Sequence, residues 1–502
     1  MNIRPEWTER ADKRGLDPLG MQNAGVALYQ SLLPGISNVT LRIRYYGYYC
    51  WVSDAYARTG ATDEFAAWRS WVRRAEALYA LVSSHATGQG GVGGVEWADG
   101  RLELGENVID FAEAASNDTN VVRYLRQSLG VFGGAYYSQM VEVGLFTQGE
   151  HGIQRATNGA GKGAAEAFRA SIGANVERVL TESIASARVS RENLDTLAPI
   201  VPSAIPQQSS ERDTYEQLLF AQSDDNEGDR SRAASLRLIL RTASDLGRQP
   251  DPNSIRWRLF SSLYGDDQLD RQRLRWEAYQ CQDLMQVAAA GFLEWATDLM
   301  GELDGGRTLG EIRGEIEGRL CSSGPESVEA SWLEFRGQLD PNSYDYEKAW
   351  YRLTGRRDSA EEKVWDAIRL IAALDQRVLT RGALAEAIRL ELGVRGNARS
   401  IVSELAWLSP RSGQTVRHII SAYIIERVIR RHSWVAIQKL RRQRDYTFLF
   451  DVRDGRLVRR SGYAPVATTP RLNPAVQFLA DIGLIDDQGP TARGRAILGA
   501  NA

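Results

Sequence analysis

Apolar positions recur at helical spacing along most of the chain. In the stretch from Val39 to Arg58, Tyr45, Tyr48, Tyr49, Val52 and Tyr56 fall near i, i+3, i+4, i+7 and i+11, the stripe that one face of an α-helix buries. Asn38, at the end of the loop 34–38, is the expected N-cap. A helix is predicted from Asn23 to Leu32, and helical patterns return over 121–129 and 164–186. From Arg232 to Met300 the pattern is again helical, with Leu284, Val287, Ala288 and Phe292 in register. Val364, Trp365, Ile368, Ile371 and Ala372 mark another amphipathic helix. Thr380 is the expected cap of the next (GALAEAIRLEL), Gly393 its stop, and 398–408 a third. A long helix from Val416 to about Leu440 leads into strand-like 446–450, an Asp454–Gly455 hairpin turn and a return over 456–460. Helices at 473–481 and 491–498 close the chain. The fold expected is mainly α, a multi-helix scaffold with a little antiparallel β near its end.

Punctuation divides this pattern. GQGGVGG at 88–94 reads as a flexible break. Residues 199–210 hold three prolines among small polar residues, and 211–230 carry seven acids against two arginines, a linker followed by a solvated acidic strip. The domains expected are a helical domain over 1–204, the linker and strip over 205–230, a middle helical domain over 231–355 and a basic C-terminal region over 356–502. At 502 residues, two to four domains are ordinary.

Composition narrows the class. Charged residues are 25% and hydrophobic residues 43%, which excludes wholesale disorder. Three widely spaced cysteines with no CxxC fit a reduced compartment. The seven charges within residues 1–16 argue against a secretory signal, and no apolar run is long enough for a bilayer. A soluble cytoplasmic protein is expected. The net charge of −3 hides an asymmetry: residues 411–465 contain 13 basic and four acidic residues, +9 locally, which leaves −12 elsewhere. Such a split concentrates phosphate-binding capacity in one module. Arg427, Arg430 and Arg431 share a helix face, and Arg441, Arg442, Arg444, Arg456, Arg459 and Arg460 surround the predicted hairpin. Trp434 and Tyr446 interleave with them, as base stacking requires. These nine arginines are the expected nucleic-acid contacts, with DNA favoured over RNA.

Catalytic and cofactor patterns are sparse. Asp345 with Glu361, Glu362 and Lys363 has the spacing of a PD-(D/E)xK nuclease, but Glu361 and Lys363 start a predicted helix, where i and i+2 diverge. The stretch 158–163 (NGAGKG) lacks the first glycine and the Ser/Thr of a phosphate loop. His85, His151, His418 and His432 combine with no cysteine at a zinc spacing. No catalytic residue, metal or cofactor is expected.

Three resemblances bear on function. Residues 471–498 (RLNPAVQFLADIGLIDDQGPTARGRAIL) resemble the ending of bacterial winged-helix domains, which implies a small α+β C-terminal module. Arg427 and His432 have the Arg-x4-His spacing of HEPN ribonucleases, helical and metal-independent enzymes; this implies an alternative in which His432 acts on a 2′-hydroxyl proton while Arg427 steadies the phosphate. Residues 15–52, through Leu32, Leu33, Pro34, Gly35, Arg42, Arg44, Tyr45, Tyr46 and Trp51, are similar to an uncharacterised bacterial family found in phage-defence islands. That similarity implies a subunit working with a partner ATPase, helicase or nuclease and brings no active site. Arg42 and Arg44 are expected to pack on neighbouring tyrosine rings.

Overall fold

The computed structural model describes residues 17–499 apart from 61–63, 87–89, 117–123, 125–126, 150–151, 222–225, 262–264, 266, 324–325 and 394–398. The chain is mainly α-helical, as expected. Its strands form two-stranded antiparallel pairs, among them Phe450–Arg453 with Arg456–Arg459 and Ile485–Asp486 with Gly489–Pro490. No described helix is long and apolar enough to cross a membrane. Two compact units divide the chain: unit 1 is residues 17–29 with Leu274–Thr468, and unit 2 is Gln30–Arg273 with residues 469–499.

Unit 2 is built on the helix Arg44–Arg58, buried on nearly all sides from Arg44 to Val52. The one-sided stripe read in the sequence is therefore part of a helix buried on nearly all sides until its last turn. Tyr48 donates to the Ala75 carbonyl (2.7 Å) and Tyr49 to the Glu76 carboxylate (2.8 Å), both on the helix Phe65–His85. Gly47 is where the helix Ser210–Phe220 comes closest: a Cβ there would lie 2.1 Å from the Tyr215 hydroxyl. The helix begins at Arg44, so Asn38 does not cap it; residues 37–40 form a turn in which Thr40 Oγ1 accepts from the Ser37 amide.

Arg44 fixes this arrangement. Its fully buried guanidinium pairs with Glu211 (2.9 and 3.0 Å), donates to the carbonyls of Pro199 and Val201 (2.6 Å each) and lies over Phe168, not over a tyrosine. Tyr215 adds a hydrogen bond to Glu211 (2.8 Å). Arg42 pairs with Asp481 (2.9 Å) and donates to the Gly90 carbonyl.

These contacts correct the expected linker. Ile200, Val201, Pro202 and Ile205 are buried, and Ser209 caps the helix Ser210–Phe220. The strip's acids sit largely in first helical turns, where they suit the helix dipole, or in ion pairs such as Asp229 with Arg232. Positions 222–225 of the strip, 87–89 at the glycine-rich break, 121–123 and 125–126 of a predicted helix, His151 and residues 394–398 lie outside the described residues. The described part of 121–129 is not helical. The helical run starts only at Gly130, where Glu76 accepts from the Val131 and Phe132 amides. Gly173, with φ of 81°, splits the predicted 164–186 helix into Ala160–Ile172 and Ala174–Ser186.

The expected C-terminal region is divided as well. Residues 469–499 belong to unit 2, as the helix Leu472–Asp481, a short hairpin and the helix Ala492–Gly499. Arg212 donates to the carbonyls of Ile482 and Gly483, and Arg493 pairs with Asp213 and Glu216. The helices at 360–408, expected in the same region, lie in unit 1.

Breaking a buried ion pair by removing one partner costs about 3–5 kcal/mol, because the other charge is left buried and unpaired. Arg44→Ala is expected to lower the unfolding free energy of unit 2 by that amount in urea titrations. Arg44→Lys should recover little, since one ammonium cannot reach the four oxygens the guanidinium serves. Limited proteolysis should leave 199–220 intact in the parent and open it in Arg44→Ala.

Candidate nucleic-acid interface

All nine predicted contact arginines lie in unit 1. Five of them, Arg427, Arg430, Arg431, Arg441 and Arg442, are carried by a helical run capped by Thr415: the helix Val416–Tyr423, a π-helical turn Ile424–Ile429 and the helix Arg430–Gln443. Ile420, Tyr423, Ile424, Val428, Val435 and Ala436 bury one side. On the other side of Arg430–Gln443, Arg430, Trp434, Ile437 and Arg441 follow at spacings of three or four and are exposed, with Leu440 exposed beside them. Arg444 ends the helix in the left-handed region at φ of 56°. The chain then runs through Tyr446 into the hairpin, whose Asp454 and Gly455 both have positive φ, as a tight two-residue turn requires.

Three of the nine are committed to carboxylates. Arg427 pairs with Glu404 (2.5 Å), which also accepts from Arg399 (2.6 and 2.7 Å) and the Tyr423 hydroxyl (2.7 Å). Burial alone would raise the Glu404 carboxyl, but Arg399 and Arg427 outweigh it and bring it down to about 2. Arg456 pairs with Glu311 and Arg459 with Asp298, each at 3.0 Å. These three of the expected contacts are already paired with acids distant in sequence.

The remaining six differ. Arg431 donates to the Leu19 carbonyl (3.2 Å) and stacks over Trp434 at 4.2 Å. Arg460 stacks over Tyr446 at 4.1 Å. Trp434 and Tyr446 are still 43% and 50% exposed. Arg430, Arg441, Arg442 and Arg444 are exposed, and neither they nor Arg460 enter an ion pair among the described residues. The site thus reduces to five unpaired guanidiniums and two ringed platforms. Sequence reasoning missed which arginines are spent internally, because their partners stand 23 to 161 residues away.

The other candidates carry no chemistry here. His432 is buried: its Nε2 accepts from the Leu449 amide (3.0 Å), which leaves Nδ1 to donate to the Pro18 carbonyl (3.1 Å). Burial pushes its imidazole down to about 4. Both nitrogens are engaged, and Arg427 is tied to Glu404, so neither residue is poised for the ribonuclease roles. Asp345 caps the helix Tyr346–Thr354, Glu361 pairs with Arg319, Glu362 forms a capping box with Ser359, and buried Lys363 pairs with Glu294 (2.9 Å). At 158–163 the amides of Gly161, Lys162 and Gly163 are satisfied within the turn, by Thr157 and Gly159. No group of three metal-ligating side chains occurs among the described residues. Cys50, Cys281 and Cys321 are free.

No family model, curated protein or solved structure matches the chain. The interface is therefore read from its own geometry.

His432 gives this region a pH dependence of defined sign. Its folded value lies below its ordinary 6.5, so the unfolded chain binds the proton more readily. The stability it contributes is present above pH 6.5 and is lost as pH falls towards 4, about 3 kcal/mol across the window. Urea unfolding at steps between pH 7.5 and 4 should show this loss, and His432→Gln should flatten that part of the curve.

Proposed function

We propose that this protein is a nucleic-acid-binding subunit, with DNA the expected form, and that it binds through the exposed side of Arg430–Gln443 and the segment running to Arg460. One observation carries the reading. In a region where Arg427, Arg456 and Arg459 find carboxylates, Arg430, Arg441, Arg442, Arg444 and Arg460 stay exposed without one. Guanidiniums match phosphate geometry through paired N–H donors. The overall charge of −3 gives no general attraction to a polyanion, so contact must be local.

The similarity of residues 15–52 to a phage-defence family supports a further step: the chain serves in a cytoplasmic anti-phage complex, with a partner ATPase, helicase or nuclease supplying the chemistry. The engaged nitrogens of His432 weigh against the ribonuclease alternative.

Replacing Arg430, Arg441, Arg442, Arg444 and Arg460 together with Gln tests the reading. Each exposed substitution changes stability by only about 0.5 kcal/mol, so the fold should survive. Each lost phosphate contact flattens log K against log salt by about 0.9, so three contacts remove about 2.7 from the slope on duplex DNA. An unchanged slope, or a parent that binds neither duplex nor single strand, overturns the proposal.

A further inference from the structure

We infer that the surface takes single-stranded nucleic acid in preference to duplex, with Trp434 and Tyr446 as stacking platforms; this rests on the nucleic-acid reading above. A duplex hides its base faces and offers a binding protein phosphates and groove edges, for which charge alone suffices. The surface here holds more than charge. Trp434 stands on the exposed helix face between Arg430 and Arg441, a span of about 16 Å at 1.5 Å per residue. Arg431 lies against its ring at 4.2 Å and is itself anchored on the Leu19 carbonyl, so the indole is held from one side and left open elsewhere. Tyr446 repeats the arrangement just beyond the helix end. Arg460 lies against it at 4.1 Å, its hydroxyl donates to Asp451 (3.1 Å), and Phe448 packs at 4.9 Å.

Two aromatic rings are thus immobilised, half exposed and set among arginines that enter no ion pair among the described residues. Immobilisation lowers the entropy lost on stacking, and the neighbouring charges meet the backbone that accompanies each base. Ile437 and Leu440, exposed between the arginines, widen the apolar strip without adding charge. A protein partner would use the same strip, but it would need acids opposite five guanidiniums; an unpaired strand supplies phosphates and ring faces together.

The test uses the full-length protein and fluorescence anisotropy with labelled oligo-dT, oligo-rU and a mixed-sequence duplex, at two salt concentrations. The parent should bind a single strand at least ten-fold more tightly than the duplex. Trp434→Leu and Tyr446→Leu should each weaken that binding about ten-fold, the loss of one stacked base, with the salt slope and duplex affinity unchanged. Trp434→Phe should recover most of the loss. A ten-fold loss with either oligo-dT or oligo-rU supports the inference, and the strand affected identifies the sugar. If the leucine variants bind single strands like the parent while the five-site glutamine variant does not, the inference fails and the nucleic-acid reading stands. If the parent binds none of the three probes, both fall.

Discussion

A carboxylate taken out of water must be met by enough hydrogen-bonded positive charge, and in this protein that requirement organises both units. Glu211 in unit 2 is closed by Arg44 and Tyr215. In unit 1, Glu277 is closed by Arg377 and Arg381, and Glu404 by Arg399, Arg427 and Tyr423. An ion pair of this kind adds little net energy over well-packed apolar residues, yet losing one member is costly. Its effect is therefore one of selection: alternatives that separate the partners are penalised by several kcal/mol, whereas apolar helix faces alone would tolerate many registers. Arg44 illustrates the point, since one guanidinium ties the start of its helix, the 199–201 turn and the helix Ser210–Phe220 to a single geometry.

Local signals in the sequence translated well into structure. The Asp454–Gly455 turn forms with positive φ at both residues, and Gly393 ends its helix. Other local readings gave way to tertiary contacts. Thr380 belongs to the end of the preceding helix, its hydroxyl bonded to Gln376, and Arg381, which follows it, is drawn to Glu277. Pro199 and Pro202 sit in the first turns of two short 3-10 helices, Ala198–Ile200 and Pro202–Ala204, where proline is tolerated, and the segment is held against Arg44. Pattern and propensity report on neighbours within a few residues. Nothing in residues 199–230 reveals that Glu211 will meet an arginine 167 positions away.

The candidate site shows the same division. That residues 411–465 are basic and that Trp434 and Tyr446 fall among them was legible from the sequence. Which charges remain available was not. The spacing of Arg427 and His432 suggested catalysis, but a helix with one solvated and one buried side sends adjacent positions to different fates: Arg427 reaches inward to Glu404, Arg430 faces solvent, and His432 is buried against Leu449.

Charge excess and binding capacity are consequently different quantities here. The local +9 of residues 411–465 is opposed by acids outside that stretch, Glu329 on Arg417, Glu404 on Arg427, Glu311 on Arg456 and Asp298 on Arg459. An arginine already paired gives up that partner before it can serve a phosphate, so its contribution to affinity is a difference between two similar terms. An arginine in water gives up only hydration. If the five unpaired guanidiniums carry the electrostatic part of binding, at most five phosphates are neutralised, and the slope of log K against log salt on duplex DNA is bounded near 4.5 in magnitude. Nine free arginines would allow about 8. The difference follows from three ion pairs and the Leu19 contact of Arg431, each made with residues that lie outside the basic stretch.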